Sequence, residues 1–272
     1  MRQFILENQN VNNGLVVLGD KDFKYLRQVL RVKVGDMVNL RMKDGALENS
    51  TVVKIDDKGK KITLQICASS GHSVTRGVQA SEISGVGSDY LLFQFIPKPQ
   101  KFEMIVRQAT ECGVSTIVPV IGEYSEKSSV LALQGSKKER IEKIVREARQ
   151  QSGSPVDTKV LAPMSIEDAK ELWDNLSEND DSVSLEEKVG FILSERDDCS
   201  GNLRSVIDDK KQNNIKIKKI GIVVGSEGGL SPDEVGFFQN KLLFHPIHFA
   251  VNILRCETAA LYGIAAVQSA VI

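Results

Sequence analysis

The sequence predicts an α/β chain in two parts, a small strand-rich segment followed by a larger region of alternating strands and helices. Three observations carry this. Before about Cys67, several short apolar runs surround a single helical pattern. From Tyr90 onward, β-branched apolar runs are each followed by helical periodicity, the order that gives a mostly parallel sheet covered on both faces. The stretch from Ile220 to Ile272 then reads as strand, glycine loop, helix, short strand, loop and final helix. With 272 residues, 41% hydrophobic and 26% charged, the chain is long enough for two domains with a sizeable core.

Taken in order, Asp20 is placed to cap a helix over Lys21–Arg31, with Phe23, Leu26 and Leu30 on one face. Lys24, Arg27 and Arg31 share a neighbouring face, which puts three cations along one edge; by composition alone they read as a solvated surface. A strand around Met37–Met42, the hairpin signal Asp44-Gly45, and strands near Ser50–Ile55 and Lys61–Cys67 follow. Several short strands around one helix suggest a small barrel. Residues 68–89 are rich in glycine and serine. The expected boundaries are a domain over 1–72, a linker over 73–89 and a second domain over 90–272. Net charge is −1, but residues 1–76 carry +5 and the remainder −6. A basic first domain is compatible with RNA docking at one end, as it is with surface scatter.

In the second region, Tyr90–Ile96 is a strand ending at Pro97-Lys98-Pro99. Phe102, Ile105, Val106, Ala109 and Cys112 mark a helix closed by Gly113. Ser115–Val120 is a strand, Lys137–Ser152 a helix, and Ser165–Leu176 a helix capped by Ser165. Asn175–Glu187 reads as a polar surface loop and Val189–Leu193 as a strand. Ile220–Val224 is a buried strand that breaks at Gly225-Ser226-Glu227-Gly228-Gly229, and Ser231-Pro232-Asp233-Glu234 forms a capping box. Ligands of such sheets sit beyond the carboxyl ends of strands. Leu193, Ser194 and Glu195, the glycine loop, and the loop before Ile253 therefore become candidates. The loop has neither phosphate-loop nor dinucleotide spacing. By itself it suits a tight turn as well as a ligand contact.

Cys67, Cys112, Cys199 and Cys256 show no metal spacing, and His245 and His248 have no nearby acid or thiol partner in sequence, so a structural role is expected and no metal. The cysteine pattern, with no long apolar span, predicts a cytoplasmic protein and no membrane contact.

GSEGGLSPDE followed by NILRCETA resembles the paired signature of the 16S ribosomal RNA uridine-N3 methyltransferases, members of the SPOUT superfamily of S-adenosylmethionine-dependent RNA methyltransferases. YLRQVLRVKVGDMVNL, with Arg2 and Phe4, is similar to the family's PUA-like N-terminal domain. IPKPQKFEMIVRQATECGVSTIVPV and EARQQSG resemble its later segments. The resemblance implies an N-terminal PUA-like β-barrel domain plus a C-terminal SPOUT α/β-knot (trefoil knot) methyltransferase domain. It implies a homodimer acting on 16S ribosomal RNA in the 30S subunit, with S-adenosylmethionine as cofactor. It implies cofactor contacts at Leu193, Ser194, Glu195, Gly225, Ser226, Glu227, Gly228, Gly229, Ala250, Ile253, Leu254 and Thr258. RNA contacts fall at Arg2, Lys24, Arg27, Arg31 and Lys98. The small-residue helix around Ala259, Ala260, Gly263, Ala265 and Ala266 suits close packing between subunits, or burial within one.

The chain departs from the family pattern at Ser226, where proline is usual, at Phe249-Ala250 for Leu-Gly, at Asn252 for arginine, at Ser154 for arginine and at Gln150 for glutamate. These departures keep open a SPOUT enzyme for another RNA, or an RNA-binding assembly protein without catalysis. For the uracil reaction, N3 must lose its proton before it attacks, so a cation that stabilises the imide anion and a proton acceptor are needed. Arg255 is the expected cation and Glu257 the expected base or orienting group. The two could instead pair with each other or cap the last helix.

Overall fold

The computed structural model describes residues 3–6, 11–42, 46–67, 88–135, 137–178, 183–194 and 202–272. Arg2, Glu195, the Asp44-Gly45 signal and linker residues 73–87 lie outside the described residues. The chain divides into two compact units, Met1–Gln79 with Arg149–Pro155, and Ala80–Ala148 with Val156–Ile272.

The first unit is built on six strands: β1 (Gln3–Ile5), β2 (Val11–Asn12), β3 (Leu15–Gly19), β4 (Met37–Arg41), β5 (Leu47–Asp56) and β6 (Lys61–Ile66). Their order is β1-β4-β5-β6-β3-β2. The alternating apolar residues of these strands meet in one core with Phe4, Leu26, Leu40, Val52, Ile62 and Leu64. Among the described residues the end strands β1 and β2 do not pair with each other, so a closed barrel is not seen. Arg149–Pro155 joins this unit through polar bonds. The Gln3 side-chain amide donates to the carbonyls of Arg149 (2.9 Å) and Ser154 (3.1 Å), and Arg41 donates to the Gln3 amide oxygen at 2.8 Å.

The expected helix over Lys21–Arg31 is corrected. The α-helix covers only Asp20–Lys24, with Gly19 at its N-cap and no side-chain cap, and Tyr25–Val29 is a π-helical turn. Arg31 sits at φ +56°. Widening the turn keeps Phe23 and Leu26 in the core, at the expense of regular α spacing. The three-then-four spacing that was to line up Lys24, Arg27 and Arg31 is therefore lost. Arg27 is also tied to Asp57 by two hydrogen bonds, at 3.0 and 3.2 Å.

The second unit holds β7 (Asp89–Phe95), β8 (Thr116–Val120), β9 (Lys159–Val160), β10 (Lys188–Leu193), β11 (Lys219–Val224) and β12 (His245–Ile247). All pair in parallel, in the order β12-β10-β11-β7-β8-β9. The central strands are buried almost throughout, as a sheet covered on both faces requires. One face packs on the helices Pro99–Glu111, Lys138–Ser152, Leu203–Gln212 and Cys256–Val271. On the other, Phe93 of β7 packs against Trp173 and Phe238 of helices Ile166–Glu178 and Pro232–Lys241 and against Phe244. A helix over Lys127–Gln134 and the helix Leu203–Gln212 add to the expected elements. The polar loop expected from Asn175 starts later, because the helix runs on to Glu178. In the last helix, Ala260, Gly263, Ile264 and Val267 are buried in this core. A Cβ on Gly263 would overlap Leu193, so this glycine serves packing within the subunit, while Ala265 is exposed.

Candidate active site

The strand order of this parallel sheet reverses beside β7. β8 and β9 lie to one side, and β11, β10 and β12 to the other. Crevices beyond the carboxyl ends of strands at such a switch are where open α/β sheets bind ligands. A cavity of about 300 Å³ lies there, walled by the ends of β10 and β11, the segment after β12, the start of the last helix, and Lys101 from the helix that follows β7. This is at the small end of the range for small-molecule sites.

The glycine loop is held from several sides. The buried Gln94 amide donates to the carbonyls of Val224 (3.3 Å) and Gly225 (3.0 Å). A Cβ on Gly225 would lie 2.5 Å from the Gly229 carbonyl carbon, and one on Gly228 would lie 2.8 Å from the Tyr124 side chain. Gly229 adopts φ +76°, which L-residues avoid. The glycines are thus required first by the loop's closure on itself. Ser226, where the family has proline, is buried and bonded. Its carbonyl accepts the Gly229 N–H at 3.0 Å, and its hydroxyl lies 3.4 Å from the Tyr124 carbonyl and 3.4 Å from the Gly228 nitrogen. Hydrogen bonds supply part of the restraint a proline ring would give.

Beneath the loop, Ser231 and Glu234 form the expected capping box. Buried Glu234 also accepts the Glu123 N–H at 2.7 Å, which anchors the Gly122–Ser125 turn. Glu227 accepts the Lys98 backbone N–H on both oxygens (3.1 and 3.3 Å). The Lys101 ammonium stands between two carboxylates, 3.6 Å from Glu227 and 3.2 Å from Glu257. Burial acts to lower its pKa, but the Glu257 bond and the surrounding negative charge hold it above the usual lysine value. Glu257 is half-buried, which favours its neutral form. The backbone, the Cys256 thiol at 3.3 Å and Lys101 outweigh burial and hold it below the usual glutamate value. Burial and the neighbouring Glu257 push the Cys256 thiol up to about 12, so it stays protonated and unreactive near neutrality.

The structure brings Leu193, Ser194, Gly225, Ser226, Glu227, Gly229, Ile253, Leu254 and Arg255 to the cavity wall. Gly228, Ala250, Glu257 and Thr258 are not in that wall; Ala250 and Thr258 are exposed. Arg255 is exposed at the N-cap of the last helix, with no side-chain cap bond. Glu257 pairs with Lys101, not with Arg255. Lys98 is exposed, and Lys24 belongs to the first unit. His248 reaches the Ser194 carbonyl at 3.3 Å, and His245 rests against Phe191. Among the described residues there is no cluster of three His, Cys, Asp or Glu side chains fit for a metal. Sequence reasoning missed Lys101, Asn252 and Cys256 as lining groups.

Fold and cleft together define an α/β protein with a small-molecule site of mixed apolar and polar lining, next to charged side chains. The RNA methyltransferase domain family matches residues 88–268, and the chain belongs to that family. It is 27% identical over 273 residues to the ribosomal RNA small subunit methyltransferase E 2 of Borreliella burgdorferi, covering 97% of this chain and 96% of that one. It is 26% identical to the ribosomal RNA small subunit methyltransferase E of Rickettsia conorii, covering 94% and 90%. Among solved structures, the ribosomal RNA small subunit methyltransferase E of Neisseria gonorrhoeae bound to S-adenosyl methionine superposes with a TM-score of 0.71. It is 25% identical, with 99% of this chain and 97% of that one covered.

Proposed function

We propose that the chain methylates small-subunit 16S ribosomal RNA at uracil N3, with S-adenosylmethionine as donor. The observation that carries this is the cavity beyond β10 and β11, where the restrained loop Gly225–Gly229 meets the start of the last helix. Its mixed apolar and polar wall fits a nucleoside-bearing donor. Leu193, Ser194, Ile253 and Leu254 offer apolar and main-chain contacts, and Gly225, Ser226 and Gly229 offer a fixed backbone. When bound, the donor supplies an activated sulfonium methyl. Arg255, exposed on the cavity wall with no side-chain hydrogen bond or ion pair among the described residues, would stabilise an anionic nucleophile. Glu257, held as a carboxylate by Lys101, is suited to orienting that wall; its lowered pKa makes it a weak proton acceptor. The first unit, read as the PUA-like RNA-binding part, would supply RNA contacts through exposed Lys24 and Arg31, with Lys98 near the cleft. A knotted second domain, a homodimer and a cytoplasmic setting complete the reading. It is supported by the family match and by relatives of nearly the same length. No helix among the described residues is long and apolar enough to cross a membrane.

The test is incubation with methyl-labelled S-adenosylmethionine and 30S subunits lacking the modification, followed by mapping of the labelled nucleotide. Label at uracil N3 of 16S RNA is expected. Unlabelled RNA, under conditions where a relative labels it, overturns the assignment.

A further inference from the structure

We infer that Lys101 is a positioning residue that ties two walls of the donor site, the glycine loop and the start of the last helix, into one pocket. The inference rests on the donor reading above. Three pieces of chain distant in sequence meet at this ammonium. Lys101 lies in the first turn of the helix Pro99–Glu111, Glu227 in the loop after β11, and Glu257 in the first turn of the last helix. The helix start is itself pinned to the loop, because the Lys98 N–H is held by both oxygens of Glu227. Lys101 therefore has little freedom to leave. Side-chain exposures of 28% for Lys101, 31% for Glu227 and 14% for Glu257 place the cluster at the cavity rim, partly withdrawn from water.

Charge arithmetic gives the pair its purpose. Glu227 and Glu257 are like charges that one ammonium holds together. With the ammonium removed, they repel, and among the described residues no hydrogen bond or ion pair joins Glu227 directly to the last helix. The loop and the helix would then separate at the point where Gly225, Leu254 and Arg255 must converge on one ligand. A shift of about 1 Å in such a wall costs on the order of a hundredfold in a reaction that depends on alignment. Stability should move less, since ion pairs this exposed contribute little to folding.

The experiment compares the full chain with Lys101→Met, Lys101→Arg and Glu257→Gln. Donor affinity is measured by calorimetry with S-adenosylmethionine alone, and kcat and KM for each substrate by methylation of 30S subunits. Lys101→Met is expected to weaken donor binding by about tenfold or more and to raise the donor KM, with the RNA KM unchanged. Lys101→Arg should recover most of the affinity. Lys101→Met and Glu257→Gln should be non-additive, because each breaks the same link. If Lys101→Met fails to fold, the Arg variant and the Glu257→Gln affinity decide: wild-type donor binding in Glu257→Gln overturns the lock. Lys101→Met that binds donor as tightly as wild type also overturns it, and a raised RNA KM in that variant would mark Lys101 as an RNA contact. Wild-type protein that binds no donor at all sinks the donor reading instead.

Discussion

Arg255 and Lys101 show what a single charge does at this cleft, and the sequence disclosed only one of them. Arg255 stands inside a motif and could be named from it. Lys101 could not, because its partners Glu227 and Glu257 lie far along the chain and only the fold unites them. The same holds for Glu257. The alternative considered for it, pairing with Arg255, was local, whereas the observed pairing is with a remote helix. The exposure of Arg255 and the absence of a cap bond lead to a prediction. Arg255→Ala should lower the rate of RNA methylation by on the order of a hundredfold or more. Its unfolding free energy should stay within about 0.5 kcal/mol of wild type. Single-turnover kinetics and a urea titration of the same preparation check both halves. A methylation rate equal to wild type would remove the guanidinium from the chemistry.

Among the elements, those with a strong local signature were legible. The glycine loop, the Ser231 capping box and the buried strands β7, β10 and β11 fall where β-branched runs and turn residues place them. Leu203–Gln212 was overlooked although Asn202 caps it and Leu203 and Ile207 bury one face. The signal was present but diluted by a run of charges. The segment after Asp20 was misread because its apolar residues fit an α-helix, and only packing around Leu26 selects the wider π turn. Glu234 shows a capping residue with a second task, since it closes the box and also holds the Glu123 N–H. Glu234→Ala should therefore cost more than an ordinary cap, about 2–3 kcal/mol. Glu234→Gln should cost less, because the amide oxygen still accepts one of the two bonds. Denaturant midpoints of the three proteins give the comparison, and equal midpoints for Ala and wild type would contradict it.

For the whole molecule, the alternation of strands and helices announced a parallel sheet with a site at its carboxyl edge. Neither the strand order nor the grouping of Arg149–Pro155 with the first unit was readable, because both depend on pairings between distant residues. Ligand linkage offers a test at this scale. A donor that binds only the folded second unit stabilises it by about 2.7 kcal/mol at a hundredfold excess over Kd. For a unit of this size that raises Tm by roughly 5–10 °C. Differential scanning fluorimetry with and without S-adenosylmethionine reads it directly. A Tm that does not move at saturating donor would show that the cleft does not take it.

The bond from the Lys98 N–H to Glu227 spans 129 residues, and this has a bearing on how the protein is made. The first wall of the cleft leaves the ribosome long before the others. At about 5–20 residues per second, the interval from Lys101 to Glu257 is roughly eight to thirty seconds. Throughout it, the nascent chain carries a half-built crevice with an unneutralised lysine at its lip. Donor capture is then a signal that the terminal helix has docked, and a labelled donor analogue added during translation would time that event.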